Sequence, residues 1–134
     1  MEAIPQTSSF GAEVTGLDLS QPLDARRFER LKRMLLDYQV LLFRDQQISP
    51  RHYQDFARRF GRLQEYLFAE GLDGFPYITE IVKTENETGG FGDFWHSDSA
   101  YLETPPSITM LYARQVPPHG GDTLFKDMYA VYDE

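Results

Sequence analysis

The sequence predicts an antiparallel β-sheet fold with flanking α-helices. Three features favour this class: short stretches of β-branched and aromatic residues, tight turns rich in glycine and proline, and helical patterns that lie mainly in the N-terminal half. Of the 134 residues, 41% are hydrophobic and 14% are aromatic, which is enough apolar material for one core. No internal repeat or flexible linker divides the chain, so we expect a single domain.

The first helical pattern follows Asp24, which has a side chain suited to a helix N-cap. Phe28, Leu31, Leu35 and Tyr38 recur at the spacing of one helix face, so we expect a buried stripe there.

Ser49 as N-cap and Pro50 at the first helical position open a second helix, and Gly61 is expected at the C′ position. The apolar face of this helix is expected to comprise Tyr53, Phe56, Ala57 and Phe60. Asp127 is expected to cap a third helix near the C-terminal end.

Four segments are predicted to be strands: residues 40–43, 77–82, 108–116 and 123–125. Between the last two, residues 117–121 must reverse the chain, and we expect Gly120 and Gly121 there because the turn needs positive φ angles. Residues 83–94 contain three glycines among polar side chains, which predicts a mobile loop that closes over a site when substrate binds.

Composition excludes several classes of partner. Thirteen basic and 21 acidic side chains give a net charge of −8, which repels nucleic acid. There is no cysteine for a disulfide or a thiolate ligand. Neither a signal peptide nor an apolar run long enough for a membrane span is visible, so a cytoplasmic chain without a membrane partner is expected, and self-association into a homo-oligomer stays open.

His96-Ser97-Asp98 is the most informative tripeptide. On an extended backbone, side chains two residues apart point to the same side, so the imidazole and the carboxylate can reach one metal ion. These are two of the three ligands in the 2-His-1-carboxylate triad, which leaves positions open on Fe(II) for a cosubstrate and O2. His-x-Asp also occurs in solvated turns, and the tripeptide alone does not decide between the two interpretations.

The surrounding motifs favour the metal site. Residues 95–125 read WHSDSAYLETPPSITMLYARQVPPHGGDTLF, residues 40–46 read VLLFRDQ, and Phe60-Gly61 ends the second helix. Together they resemble the taurine dioxygenase (TauD/TfdA-like) family of Fe(II)/2-oxoglutarate-dependent dioxygenases. The resemblance implies a double-stranded β-helix, the cupin-like jelly-roll, of which residues 1–134 would be the N-terminal part of a single domain.

The resemblance also implies site residues and a reaction. His96 and Asp98 would ligate Fe(II), and Thr123 would hydrogen-bond the cosubstrate 2-oxoglutarate. The family's second metal-binding His and its Arg for 2-oxoglutarate would lie beyond residue 134. Decarboxylation of 2-oxoglutarate to succinate would then be coupled to hydroxylation of a small organic substrate by O2.

Three residues are candidates for the substrate pocket: Tyr66, Gly92 and Trp95. Taurine-specific members carry a His where this chain has Tyr66, a Tyr where it has Ala69, and an Asn where it has Gly92. Taurine is therefore not the expected substrate. Trp95 is equally well explained as a shield for the metal and as an ordinary core residue.

Two other functions stay open. The chain as it stands would fit a non-catalytic binding fragment of such an oxygenase, because it lacks the second His and the Arg. A cupin-like metal protein of another reaction class would need a base near the metal, for which Glu103 is the candidate in the sequence. His52 and His119 are expected to be solvated.

Overall fold

The computed structural model describes residues 1–84, 86, 92 and 94–134. These residues form two compact units. The first comprises Met1–Ile48 and Ala113–Glu134, and the second comprises Ser49–Tyr112. The predicted mobile loop at residues 83–94 falls largely outside the described residues, so its closure stays a prediction. In the described part of the chain, no helix has the length and apolar character that crossing a membrane requires.

The first unit contains a three-stranded sheet with strand order β1-β2-β3. Its strands are β1 (Glu2–Pro5), β2 (Ala12–Thr15) and β3 (Leu41–Leu42). The pairing of β1 with β2 is antiparallel, whereas β2 and β3 are parallel. The sheet is thus mixed, unlike the antiparallel sheet that the sequence predicts. A helix crosses between β2 and β3 and returns the chain to the same end of the sheet, which is the connection that parallel strands require.

That crossing helix is α1 (Ala25–Tyr38), and its predicted N-cap is confirmed. The carboxylate of Asp24 accepts a hydrogen bond from the backbone N–H of Arg27 at 2.8 Å. Phe28, Leu31 and Met34 are buried, with Leu31 fully enclosed, and α1 contacts β3. Leu35 is only half-buried, because the core-facing stripe continues through Met34 instead.

The second unit begins with α2 (Pro50–Arg58), and the predicted Ser49 N-cap and Pro50 start are confirmed. Phe56 is buried and its ring meets that of Phe60 edge to face, with centroids 5.4 Å apart. The prediction that Gly61 occupies C′ is wrong by one residue, because Arg59 is the C-cap. At the end of the helix, the hydrogen bonds join residues three apart, as in a 3₁₀-helix. One of them runs from the N–H of Phe60 to the carbonyl oxygen of Ala57 at 3.0 Å.

Tyr53 links α2 to a later segment of the same unit. Its hydroxyl donates a hydrogen bond to the carbonyl oxygen of Met110, and its ring lies 6.2 Å from that of Tyr112 between centroids. Burial raises the pKa of the Tyr53 hydroxyl to about 12, because the charged phenolate loses hydration there.

Three of the four predicted strands are wrong. Residues 77–82, 108–116 and 123–125 pair with no other strand of the described chain, and only the prediction at residues 40–43 is confirmed, as the shorter β3. Strand propensity measures how well a side chain fits a half-buried sheet surface, and an extended segment becomes a strand only when a neighbour takes its backbone hydrogen bonds. Conversely, β1 and β2 were not anticipated.

The C-terminal part of the first unit matches the sequence more closely. Gly120 and Gly121 have φ angles of +73° and +75°, as the predicted reversal requires. A short helix, α3 (Met128–Asp133), follows, and the Asp127 carboxylate caps it by accepting from the N–H groups of Tyr129 and Ala130.

Candidate metal centre

The structure brings the side chains of His96 and Asp98 together. The Nε2 atom of His96 lies 3.3 Å from the Oδ1 atom of Asp98, and both side chains are about half exposed to solvent. The residues from Trp95 to Ser97 have no regular secondary structure, and a turn begins at Asp98. Among the described residues, no group of three or more His, Cys, Asp or Glu side chains is placed to hold a metal ion.

A backbone carbonyl orients the imidazole of His96. Its Nδ1 atom lies 2.8 Å from the carbonyl oxygen of Phe94. A carbonyl oxygen only accepts hydrogen bonds, so Nδ1 must carry the proton when this bond forms. In the neutral ring, Nε2 then presents a lone pair, the form in which histidine binds metals, and the Phe94 carbonyl plays the orienting part often seen behind metal-bound histidines.

This arrangement leaves two lone-pair donors facing each other. When Nε2 carries no proton and the carboxylate of Asp98 is ionised, neither atom has a hydrogen to donate. No hydrogen bond then joins them at 3.3 Å. Either a second proton on the ring or a cation between the two atoms makes the contact favourable. The pair is therefore a natural place for a positive charge, and a divalent metal ion meets that requirement without protonating the ring.

The separation of the two atoms also fits a shared ion. Donors about 2.1 Å from one metal, at right angles to each other, are about 3.0 Å apart. The observed 3.3 Å corresponds at that bond length to an angle of about 104° at the metal, a modest widening. His96 and Asp98 are thus close enough together that both would hold one ion.

Two residues enclose the His96 ring. The ring of Phe94 meets it edge to face, with centroids 5.7 Å apart. On another side lies Gly92, where an added Cβ atom would stand only 3.1 Å from the Cε1 atom of His96. Gly92 also has a φ of +82°, a conformation that other residues avoid. Both the close approach to His96 and the backbone conformation at position 92 therefore favour glycine.

Three aromatic rings of the same unit contact one another in series. Tyr66 meets Phe68, and Phe68 meets Tyr101, each edge to face with centroids 5.7 and 5.8 Å apart. Tyr66 is one of the residues that the sequence analysis assigned to the substrate pocket, and this role stays a prediction.

The remaining predicted site residues make none of the contacts described above. Trp95 is 65% exposed, so it is not the core residue that one interpretation expected. Thr123 is exposed and belongs to the first unit, and its contact with 2-oxoglutarate stays a prediction. His52 helps to cap α2, since its Nδ1 atom lies 3.4 Å from the backbone nitrogen of Ser49. His119 is exposed.

Comparison with known proteins decides the family. The sequence profile described as "Taurine catabolism dioxygenase TauD, TfdA family" matches residues 2–134. The chain belongs to this family. The match covers both compact units and includes the His96-Ser97-Asp98 segment, so the sequence resemblance is confirmed.

Individual relatives agree with the family. An alkylsulfatase of Acinetobacter baylyi is 30% identical over 129 residues, which cover 96% of this chain and 40% of that protein. A (S)-phenoxypropionate/alpha-ketoglutarate-dioxygenase of Sphingobium herbicidovorans is 36% identical over 135 residues, covering 96% of this chain and 46% of that one. The chain thus spans less than half the length of these relatives.

Solved structures show the same likeness. A crystal structure of a Burkholderia xenovorans protein assigned as an alpha-ketoglutarate-dependent taurine dioxygenase superposes with a TM-score of 0.66 at 30% sequence identity. The superposition covers 78% of this chain and 37% of that protein. The fold described above is therefore related to part of a TauD-type dioxygenase.

Proposed function

We propose that the chain is the N-terminal part of an Fe(II)/2-oxoglutarate-dependent dioxygenase that hydroxylates a small organic substrate. The observation that carries the proposal is the approach of His96 Nε2 to Asp98 Oδ1 at 3.3 Å, with the opposite ring nitrogen engaged by a carbonyl. When bound at this pair, Fe(II) would supply the means to activate O2 and to couple the decarboxylation of 2-oxoglutarate to hydroxylation.

The chain's own residues would bind and orient. His96 would donate its Nε2 lone pair, and the Phe94 carbonyl would keep the ring in the correct tautomer. Asp98 would contribute the anionic ligand, which offsets part of the charge of a divalent ion. Thr123 would donate a hydrogen bond to 2-oxoglutarate, as the family resemblance implies. The third metal ligand and the Arg that pairs with 2-oxoglutarate would come from residues outside these 134.

The proposed fold of the whole catalytic domain is the double-stranded β-helix. The superposition on a TauD-type protein supports this proposal. The sheet of the first unit is mixed, so it differs from the antiparallel sheet expected for the barrel.

Taurine is not the proposed substrate. Gly92 stands where taurine enzymes carry Asn, and a Cβ atom there would lie only 3.1 Å from His96 Cε1, so the ring would have to shift to accommodate a side chain. The named relatives include a sulfatase and a phenoxypropionate dioxygenase, so the family itself accommodates more than one class of organic acid or ester.

Cobalt titration tests the metal site without requiring turnover. With two protein donors brought together among the described residues, the 134-residue chain should bind Co(II) weakly, because affinity depends on donor number and on a preformed site. His96→Ala and Asp98→Ala should each abolish the visible absorption of bound Co(II). His119→Ala is the matched control, because it removes an exposed histidine that belongs to the other compact unit, and it should leave binding unchanged.

The outcomes separate three cases. Equal Co(II) binding by the wild-type chain and by His96→Ala would remove the pair from the metal site. Tight binding that is lost in His96→Ala would show that a third ligand is already present within the 134 residues. If the whole protein binds Fe(II) and 2-oxoglutarate yet releases no succinate with any substrate, the non-catalytic binding function would replace the enzymatic one.

A further inference from the structure

A dense cluster of positive charge lies on α1. Residues 26–33 contain five of the 13 basic side chains and only one of the 21 acidic ones. They contribute to an open cleft of about 670 Å³, which we call the basic cleft. The residues that line it are Arg26, Arg27, Arg30 and Arg33, together with Asp24, Glu29 and Met1. Positive charge is thus gathered on one surface of a chain with a net charge of −8.

The stability of α1 does not account for these arginines. The N-terminal end of a helix carries a partial positive charge, so Arg26 and Arg27 in the first turn are placed against it. Arg26, Arg30 and Arg33 follow one another at intervals of four and three residues, and like charges at these intervals destabilise a helix. An anion in the basic cleft would replace this repulsion with attraction.

Three of the four guanidinium groups are available to a ligand. Within the described part of the chain, the exposed side chains of Arg26, Arg30 and Arg33 make no hydrogen bond and no ion pair. The two carboxylates of the cleft are already engaged. Asp24 accepts a hydrogen bond from the backbone N–H of Arg27 at 2.8 Å, and Glu29 pairs with Lys32 at 3.2 Å.

The sheet holds one wall of the basic cleft in place. Glu2 of β1 pairs with Thr15 of β2, which brings Met1 beside Gly16. The two residues are so close that a Cβ atom at Gly16 would stand 2.9 Å from the backbone nitrogen of Met1. Arg27 donates to the carbonyl oxygen of Gly16 at 2.9 Å, so its guanidinium group is fixed at this wall before any ligand arrives.

The other three arginines form a row on one face of α1. The spacing of i, i+4 and i+7 keeps them on the same side of the helix, and the seven residues from Arg26 to Arg33 rise by about 10 Å. A guanidinium group presents paired N–H donors that match the oxygens of a phosphate group. A linear anion with several phosphate groups can therefore meet all three side chains, whereas a compact anion meets fewer of them.

We infer that the basic cleft binds the oligophosphate chain of a small molecule. This inference does not rest on the proposed function, since His96 and Asp98 belong to the other compact unit. A small ligand fits better than a nucleic acid, because the chain outside residues 26–33 has eight basic and 20 acidic side chains. A long polyanion would meet that negative surface, whereas a small anion meets only the arginines.

Calorimetric titration of the metal-free whole protein with tripolyphosphate tests the inference, and citrate serves as the compact anion. Tripolyphosphate should bind about two- to fivefold more tightly than citrate, the gain from one more exposed ionic contact. Arg26→Gln, Arg30→Gln and Arg33→Gln should each weaken tripolyphosphate binding by about two- to fivefold, and the triple variant by about 10- to 100-fold. Raised NaCl should weaken wild-type binding, because salt screens exposed charges.

The matched control is Arg62→Gln. Arg62 is also exposed and makes no hydrogen bond or ion pair in the described part of the chain, but it belongs to the second unit. This variant should bind tripolyphosphate like the wild type. Urea titration checks the fold of each variant: Gln has nearly the helix propensity of Arg and removes like-charge repulsion, so the variants on α1 should be at least as stable as the wild type.

Four results would overturn the inference. One is the absence of tripolyphosphate binding at low salt, and another is an equal loss of affinity in Arg62→Gln. A third is citrate binding as tight as that of tripolyphosphate, because the cleft would then respond to charge alone. The fourth is binding by the 134-residue chain that the whole protein lacks, which would show that the rest of the protein covers the arginines.

Discussion

Replacement of Gly92 by alanine tests the geometry of the metal pair most directly. The new Cβ atom would stand 3.1 Å from His96 Cε1, whereas carbon atoms in comfortable contact are about 3.5–4.0 Å apart. The imidazole must therefore move by about 0.4–0.9 Å, unless the backbone at position 92 moves instead. Either movement alters the packing of Gly92 against the imidazole, which holds the ring beside Asp98.

The consequence for metal binding follows from the donor separation. A shift of about half an ångström that adds to the observed 3.3 Å would open the angle at a metal about 2.1 Å from each donor from about 104° to about 130°. Such an angle is far from the right angle of adjacent octahedral positions. Disturbing the groups that orient a ligand commonly lowers metal affinity by about 10- to 100-fold, and we expect a loss in this range for Gly92→Ala.

The control is Gly74→Ala, in the same unit. Gly74 has a φ of +73°, close to the +82° of Gly92, but no atom lies within 4 Å of the position of its Cβ. Both variants thus carry the backbone strain of about 1–2 kcal/mol that a left-handed residue incurs, and only Gly92→Ala touches the imidazole. Co(II) titration by visible absorption compares them. Unchanged affinity in Gly92→Ala, or an equal loss in Gly74→Ala, would refute the steric argument.

Three further perturbations address the core, the buried hydroxyl and the cosubstrate. Leu31→Ala should lower the free energy of unfolding by about 2–5 kcal/mol, while Leu36→Ala, on the same helix but 80% exposed, should change it by less than about 0.5 kcal/mol in urea titrations. Since burial raises the Tyr53 pKa from 10.0 to about 12, the unfolded chain ionises first and stability should fall as pH rises through this window. Tyr53→Phe should remove that part of the alkaline loss, and an unaltered slope of stability against pH would contradict the assignment. In the whole enzyme, Thr123→Ala should raise the KM for 2-oxoglutarate through loss of about 1.5–3 kcal/mol, and unchanged kinetics would remove Thr123 from the cosubstrate site.

The helices were predictable from sequence because their signals are local. Asp24, Ser49 and Asp127 each bond to backbone N–H groups one turn ahead, and a short peptide already contains both partners. The strands were not predictable, since pairing joins distant segments and residues 108–116 have strand-like composition without a described neighbour. β2 was missed because four residues, Ala12–Thr15, are too short for a clear alternating pattern.

The candidate site was also only partly predictable from the sequence. A spacing of two residues is enough to predict that His96 and Asp98 approach each other, and the structure places them 3.3 Å apart. The approach of Gly92 to the imidazole depends on how the loop returns in space. Sequence indicated the substitution at Gly92 relative to taurine enzymes, but only the structure gives a steric reason for it.

The order of the strands has a consequence for biosynthesis. All pairing in the sheet, from β1 to β3, is complete within the first 42 residues. Contacts between residues close in sequence form quickly, and N-terminal segments emerge from the ribosome first. The sheet and α1 can therefore assemble on the nascent chain before His96 and Asp98 have been translated, and residues Ala113–Glu134 of the same unit join them later.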